Sequence, residues 1–309
     1  MSQAPYLAAD ASATEDLVTG GELRPFLRRR AATVSRTAAA RSPRGARSPA
    51  LPAGVALVGL TAALGGVTGG QAVAARRRYR GFASTVGDIE VTVMPSHGSA
   101  RGAAPIEMAA FGDSAMAGVG VRDVTEALPV QLAQRTADAA GRPVHVIGYA
   151  RSGARTLDVS IKQVPMVRRV PDVSVLTVGT NDVTHLTSLP ALVRSSRDLL
   201  DALLALGAPV VMSSLPEFRA MRAVPRPLRD VARARGGLVR LVQRAAAARP
   251  GVHLVDVCRM VGWEFVDGPG MMSDDSFHPS AAGYGRIADA MAPAVLSVLT
   301  TSDSSGGFR

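Results

Sequence analysis

From about residue 105 the chain alternates short apolar runs with longer stretches of helical periodicity, and this alternation restricts the available folds more than any other feature. Met108–Phe111, Val144–Ile147, Val173–Val178, Val210–Met212 and Val252–Val257 are short runs with little polar alternation, as strands buried on both faces require. Between them lie segments of a different texture. Leu128 and Leu132 sit among the alanines of 127–140, and Gly141 stops the pattern. Leu192, Leu199, Leu200, Leu203 and Leu204 share a helical face that ends at Gly207. Residues 227–248 read as a long Arg/Ala helix. Residues 280–298, with Ile287, Met291 and Val295 spaced by four, read as a closing helix. Strand–helix alternation of this kind predicts an α/β fold, a parallel five-stranded sheet covered by helices on both faces.

In such sheets, ligands bind beyond the carboxyl ends of the strands. Three polar clusters fall there: Gly112-Asp113-Ser114, Arg151-Ser152-Gly153 and Gly179-Thr180-Asn181-Asp182. A fourth, SDDSFHPS, precedes the closing helix and holds Asp275 and His278. A serine hydroxyl is a weak nucleophile and needs a base beside it. An Asp three residues before a His can reach the imidazole within one loop, fix its tautomer and stabilise the imidazolium. Acyl transfer also needs donors aimed at the developing oxyanion. The backbone N–H of Ser114, that of Gly153 and the side-chain amide of Asn181 are the candidates. Singly, each cluster has a plain reading as a turn, a cap or a loop. Their order along one α/β domain, with three following strands, argues for a shared site.

Taken together, these blocks resemble the SGNH/GDSL hydrolase family. That family is named for a Ser in Gly-Asp-Ser, a Gly, an Asn in Gly-x-Asn-Asp and a His in Asp-x-x-His, and Ser114, Gly153, Asn181 and His278 occupy these positions in order. The resemblance covers roughly residues 105–298. It implies a three-layer, flavodoxin-like fold, neither metal nor cofactor, and hydrolysis of a small-molecule acyl ester through a covalent acyl-enzyme. The catalytic residues it implies are Ser114, Asp275 and His278, with Ser114, Gly153 and Asn181 as the oxyanion hole. GTNDVTH and HPSAAGY are particularly similar to stretches of bacterial esterases of the family. Two positions depart from the pattern. Ala115 stands where the first block usually has Leu, and GYARSGAR lacks the Asn common before its Gly.

Composition excludes several other classes. The single cysteine, Cys258, rules out an intrachain disulfide and a cysteine-based zinc site. Aromatics at 4% are too few for a stacking platform on single-stranded nucleic acid. The net charge is +10, but Lys162 is the only lysine among the 35 basic residues. An Arg, Ala, Gly and Pro excess of this sort reads as the coding bias of a GC-rich genome, and no nucleic-acid partner is expected. Gly118-Val119-Gly120 does not extend to a dinucleotide fingerprint, and no Walker sequence or Gly-x-Ser-x-Gly elbow occurs.

The chain before residue 105 has a different character. Residues 1–50 read as a disordered basic segment, 51–75 as an uncharged run between arginine blocks, 76–104 as a linker, 105–298 as the catalytic domain and 299–309 as a disordered tail. The uncharged run has three readings. It is a membrane anchor with its N-terminus cytoplasmic, an export signal cleaved after Ala72-Val73-Ala74, or a flexible Ala/Gly segment of a cytoplasmic protein. Arg76–Arg78 would hinder cleavage, which favours the anchor over the cleaved signal. Membrane contact through 51–75 is therefore expected. A different functional class is a non-catalytic membrane-surface binding protein on the same fold. Asp113 is expected to stabilise its turn, His185 to make a structural hydrogen bond and Cys258 to be buried filler. Met271 and Met272 are expected either to line an acyl pocket or to pack the loop. LPEFRAMRAVPRP, from Leu215 to Pro227, is expected to form a lid or pocket wall.

Overall fold

A computed structural model gives the arrangement of residues 66–67, 69–71, 74, 86–97 and 103–305. The chain divides into units 1–52 and 53–309. The first lies outside the described residues, as does most of the run 51–75. The second contains a six-stranded sheet, with β1 Glu90–Val93, β2 Ile106–Gly112, β3 Val144–Gly148, β4 Val173–Thr177, β5 Val210–Ser213 and β6 Val252–Val255. Strand order is β1-β3-β2-β4-β5-β6, parallel throughout except for β1, which pairs antiparallel with β3. The main helices are α1 Leu128–Ala140, α2 Thr180–Thr184, α3 Leu189–Leu204, α4 Leu228–Ala247, α5 Val257–Asp267 and α6 Ala281–Ser305.

Side chains alternate across the strands and divide the core into two layers. Met108 and Ala110 of β2, Val173 and Val175 of β4, and Val211 of β5 face the cluster with α1 and α6. Ala109, Phe111, Leu176, Val210 and Met212 face the opposite cluster with Leu199, Leu200 and Leu203 of α3. Every central strand is covered on both sides, which explains the near-continuous apolar runs in the sequence. The fold is the expected three-layer α/β arrangement.

The sheet carries six strands rather than five. The additional one, β1, lies within the segment read as a linker. Glu90–Val93 is a four-residue edge strand, too short to display a period in the sequence. Val252–Val257 is also divided. Its strand ends at Val255, and Asp256 accepts from the Arg259 amide to cap α5, which sequence periodicity did not reveal. The closing helix begins at Ala281, one residue later than the periodicity indicates. Ser280 Oγ accepts from the Gly283 amide at 3.1 Å, while Pro279 forms a bridge with Met272. That helix continues to Ser305, through residues 299–305 of the segment read as a tail. Among the described residues no helix is long and apolar enough to cross a membrane.

The order of crossovers locates the site. The chain passes from β2 to β3 on one side, then returns across β2 to β4 on the other. Beyond the carboxyl end of β2 the two connections diverge and leave a crevice, where doubly wound sheets place their ligands.

Candidate active site

Ser114 occupies the turn that leaves β2 at this switch point. Gly112 immediately before it is required by backbone geometry. Its φ is +144°, and a Cβ there would lie 2.0 Å from the Thr177 carbonyl oxygen of β4. Asp113 Oδ1 accepts from the Ala115 amide at 3.2 Å and holds the turn, as expected. Its Oδ2 is buried and has no hydrogen-bond partner among the described residues. Burial pushes this carboxyl up to about 6, against the Ala115 amide and the His278 charge, which pull it down.

The loop before α6 brings the other two groups. His278 is buried, and its Nε2 lies 3.0 Å from Ser114 Oγ. Its Nδ1 lies 2.6 Å from Asp275 Oδ2. Asp275 Oδ1 accepts from the amides of Phe277 at 2.7 Å and His278 at 2.8 Å, and from Ser273 Oγ at 2.8 Å. Partial burial pushes the Asp275 carboxyl up. The His278 ring, the two amides and the Ser273 hydroxyl together outweigh burial and hold it well below the usual carboxylate range. The carboxylate stays ionised, so Nδ1 carries the proton and Nε2 faces Ser114 Oγ as an acceptor. The Phe277 ring meets the imidazole edge-on, with centroids 4.9 Å apart.

Two contacts that sequence reasoning missed hold this loop against the turn. Gly120 has φ +103°, and a Cβ there would lie 2.6 Å from the Pro279 carbonyl oxygen and 3.1 Å from His278 Cβ. Tyr284 is fully buried and donates its hydroxyl to the Val119 carbonyl at 2.5 Å. The only sequence signals were a second glycine in GVG and an aromatic residue one turn into a helix.

Asn181, in the first turn of α2, meets the loop that carries Gly153. Asn181 Nδ2 donates to the Ala154 carbonyl at 3.0 Å. Its neighbour Asp182 is buried and accepts from the Thr156 amide at 2.9 Å and its hydroxyl at 2.7 Å. These bonds fix the Gly153 loop to the start of α2. The requirement for glycine at 153 is conformational: its φ is +84°, and an added Cβ would meet nothing within 4 Å. His185 is exposed and its Nδ1 donates to the Asn181 carbonyl at 2.9 Å.

A pocket of about 730 Å3, counted with its mouth, opens at Ser114 and His278. Met272 lines it and Met271 does not. Pro216, Glu217, Ala220 and Met221 form part of its wall, within the segment read from sequence as a lid or wall. Cys258 also lines it, rather than filling the core. Burial raises the thiol's pKa. Among the described residues no three His, Cys, Asp or Glu side chains are grouped to hold a metal ion.

Residues 110–286, more than half of the chain, match the GDSL-like lipase/acylhydrolase family. The chain is 30% identical over 198 residues to the GDSL-like esterase Rv1075c of Mycobacterium tuberculosis; the match covers 63% of each protein, just under two thirds of that relative's length. Two solved structures share the fold. One is LAE5, an alpha/beta hydrolase enzyme from the metagenome of Lake Arreo, with 21% identity, a TM-score of 0.50 and coverage of 64% of this chain and 97% of that one. The other is the lipase/acylhydrolase from Enterococcus faecalis, with 21% identity, a TM-score of 0.50 and coverage of 62% and 96%.

Proposed function

The chain belongs to the GDSL-like lipase/acylhydrolase family, and on that premise we propose that it hydrolyses acyl esters through a Ser114–His278–Asp275 triad and a covalent acyl-enzyme. The observation that carries this reading is the unbroken relay from Asp275 Oδ2 through both ring nitrogens of His278 to Ser114 Oγ, at 2.6 and 3.0 Å.

In acylation, Ser114 Oγ forms a bond to the ester carbonyl carbon while its proton passes to His278 Nε2. The carbonyl oxygen becomes an oxyanion, received by the amides of Ser114 and Gly153 and the side chain of Asn181. The tetrahedral intermediate collapses, the carbon–alkoxide bond breaks, and Nε2 returns the proton to the leaving alcohol. Water then adds to the acyl carbon as Nε2 takes its proton. Departure of Ser114 Oγ, reprotonated from Nε2, releases the carboxylic acid. Throughout, Asp275 remains ionised and stabilises the transient imidazolium.

The test is Ser114→Ala, assayed with p-nitrophenyl acetate, together with labelling of the wild type by a serine-directed organophosphonate. Loss of turnover in the variant, with one phosphonate on Ser114 of the wild type, is the expected result. Full turnover in Ser114→Ala would overturn the assignment, and absence of any label on the wild type would favour a binding role on this fold.

A further inference from the structure

Away from the catalytic site, α4 departs from the usual division of a surface helix into an inner apolar face and an outer polar one. Its inner face is ordinary. Gly236, Val239, Gln243 and Ala246 are buried, and a Cβ on Gly236 would meet the Phe218 ring at 2.7 Å. Its outer face is not polar. Val231, Ala234, Leu238, Leu241 and Ala245 recur at spacings of three and four, and all five are exposed. The three large side chains, Val231, Leu238 and Leu241, are 48%, 45% and 60% exposed. Single exposed leucines are common, but this is a continuous outward stripe on a helix that carries five arginines and one aspartate. At about 100° per residue, Arg233 and Arg244 fall on one flank of the stripe and Arg235 on the other. Arg229 and Arg240 turn inward, to the carbonyls of Arg219 and Pro216.

We propose that this face of α4 docks on an anionic lipid bilayer, with Val231, Leu238 and Leu241 entering the boundary between headgroups and acyl chains and the flanking arginines reaching the lipid phosphates. A helix lying in that boundary needs an apolar stripe bordered by cations on flexible aliphatic stems, and α4 supplies both. Arg233 and Arg244 have acidic neighbours, Glu217 at 3.7 Å and Asp256 at 2.8 Å, yet their side chains remain 53% and 66% exposed. Arg235 bonds to the Thr187 carbonyl rather than to a carboxylate, so its charge is not neutralised there. Asp230, the one acid of the helix, stands at the N-terminal end of the stripe with Arg226 at 3.7 Å. Charge decides against a second copy as the occupant. Two such helices meeting along their stripes would set arginine flanks against arginine flanks, whereas a surface of phosphodiesters attracts them. Six charged residues keep α4 from spanning the bilayer, so it lies along the surface. The inner face of α4 backs Phe218, within the 216–221 segment that contributes to the wall of the Ser114 pocket. Docking therefore holds that wall one helix diameter, about 10 Å, from the lipid.

The test uses the full-length chain with its one cysteine removed by Cys258→Ala and a new one introduced by Leu241→Cys. The control is Val170→Cys in the same background, at a position 74% exposed in the loop before β4. Each thiol carries a nitrobenzoxadiazole fluorophore, which brightens on leaving water. The probes are vesicles of phosphatidylglycerol and phosphatidylcholine in equal parts, and vesicles of phosphatidylcholine alone. On the anionic vesicles, emission at 241 is expected to rise at least about threefold while emission at 170 stays constant. That rise is expected to fall by at least half in about 1 M salt. Adding Leu238→Glu, one turn away on the exposed stripe, is expected to remove most of it. Unchanged emission at 241 overturns the proposal even where the protein sediments with the vesicles, since contact is then made elsewhere. An equal rise at 170, an equal rise on phosphatidylcholine alone, or a rise that survives Leu238→Glu also overturns it. A rise at 241 that follows protein concentration without lipid, with a doubled mass in light scattering, assigns the face to a second copy instead. No readout requires turnover, so the result at Ser114 does not bear on this proposal.

Discussion

Ser114 and His278 are separated by 164 positions, yet Oγ and Nε2 lie 3.0 Å apart. Neither residue has the means to secure that distance by itself. The turn carrying Ser114 is set by Gly112 against β4, and the loop carrying His278 is set by Asp275, which accepts three hydrogen bonds on Oδ1. The two halves are joined by Gly120 beneath His278 and by the Tyr284 hydroxyl on Val119. The short Ser114–His278 distance is a property of these supporting contacts as much as of the two side chains.

Gly120→Ala tests that dependence. The new methyl group would sit at φ +103° and within 2.6 Å of the Pro279 carbonyl, so the loop must shift. A displacement of about 1 Å at a reacting group costs on the order of 10²-fold in rate. We expect kcat to fall by about that factor, and stability to fall by about 1–3 kcal/mol in urea denaturation. Wild-type kcat in this variant would mean that the glycine is not what admits His278.

Asn181→Ala should act on the transition state rather than on binding. One hydrogen of its amide already bonds to the Ala154 carbonyl, which aims the group. Losing an oxyanion donor lowers kcat by about 10²–10³, with KM nearly unchanged. Steady-state kinetics on p-nitrophenyl acetate separate the two parameters. A rise in KM with kcat intact would make Asn181 a binding residue only.

Asp275→Asn keeps the shape of the side chain but replaces the acceptor facing His278 Nδ1 with a donor. The ring proton then moves to Nε2, which can no longer accept from Ser114. We expect kcat to fall by about 10³–10⁴. Because the native carboxyl is held below its usual range, its contribution to stability is complete above about pH 4 and is lost as pH falls through its folded pKa. The stability gap between wild type and variant, from urea titrations, should be constant above about pH 5 and shrink below about pH 4. A gap that widens on acidification would contradict the depressed pKa.

The sheet and the four polar blocks were legible in the sequence because buried parallel strands are continuous in apolar character and each block follows a secondary-structure boundary. Three features were not legible, each for its own reason. β1 is a four-residue edge strand, and so short a run has no detectable period. α5 was absorbed into the apolar run at Val252–Val257, because Val257 belongs to the buried face of a helix that starts where the strand has just ended. The roles of Gly120, Tyr284 and Cys258 depend on tertiary contacts between distant segments, to which local propensity is blind. Gly153 was legible as a residue, but its left-handed backbone angle, which demands glycine, was not.

Asp113 supplies a prediction with the opposite sign to Asp275. Its carboxyl is buried, Oδ2 has no partner among the described residues, and burial pushes it up to about 6. Between about pH 4 and pH 6 the folded protein therefore holds a proton that the unfolded chain has released. Folding is favoured by this group below about pH 4, and that advantage is lost as pH rises through 6, where a charge must be kept buried. A shift of this size corresponds to about 3 kcal/mol. Asp113→Asn retains the acceptor for the Ala115 amide and carries no charge at any pH. Its stability relative to wild type should therefore rise by up to about 3 kcal/mol between pH 4 and pH 7, as read from urea midpoints at both ends. A difference that stays flat across this range would show that the carboxyl titrates normally and that water reaches Oδ2 in the folded protein.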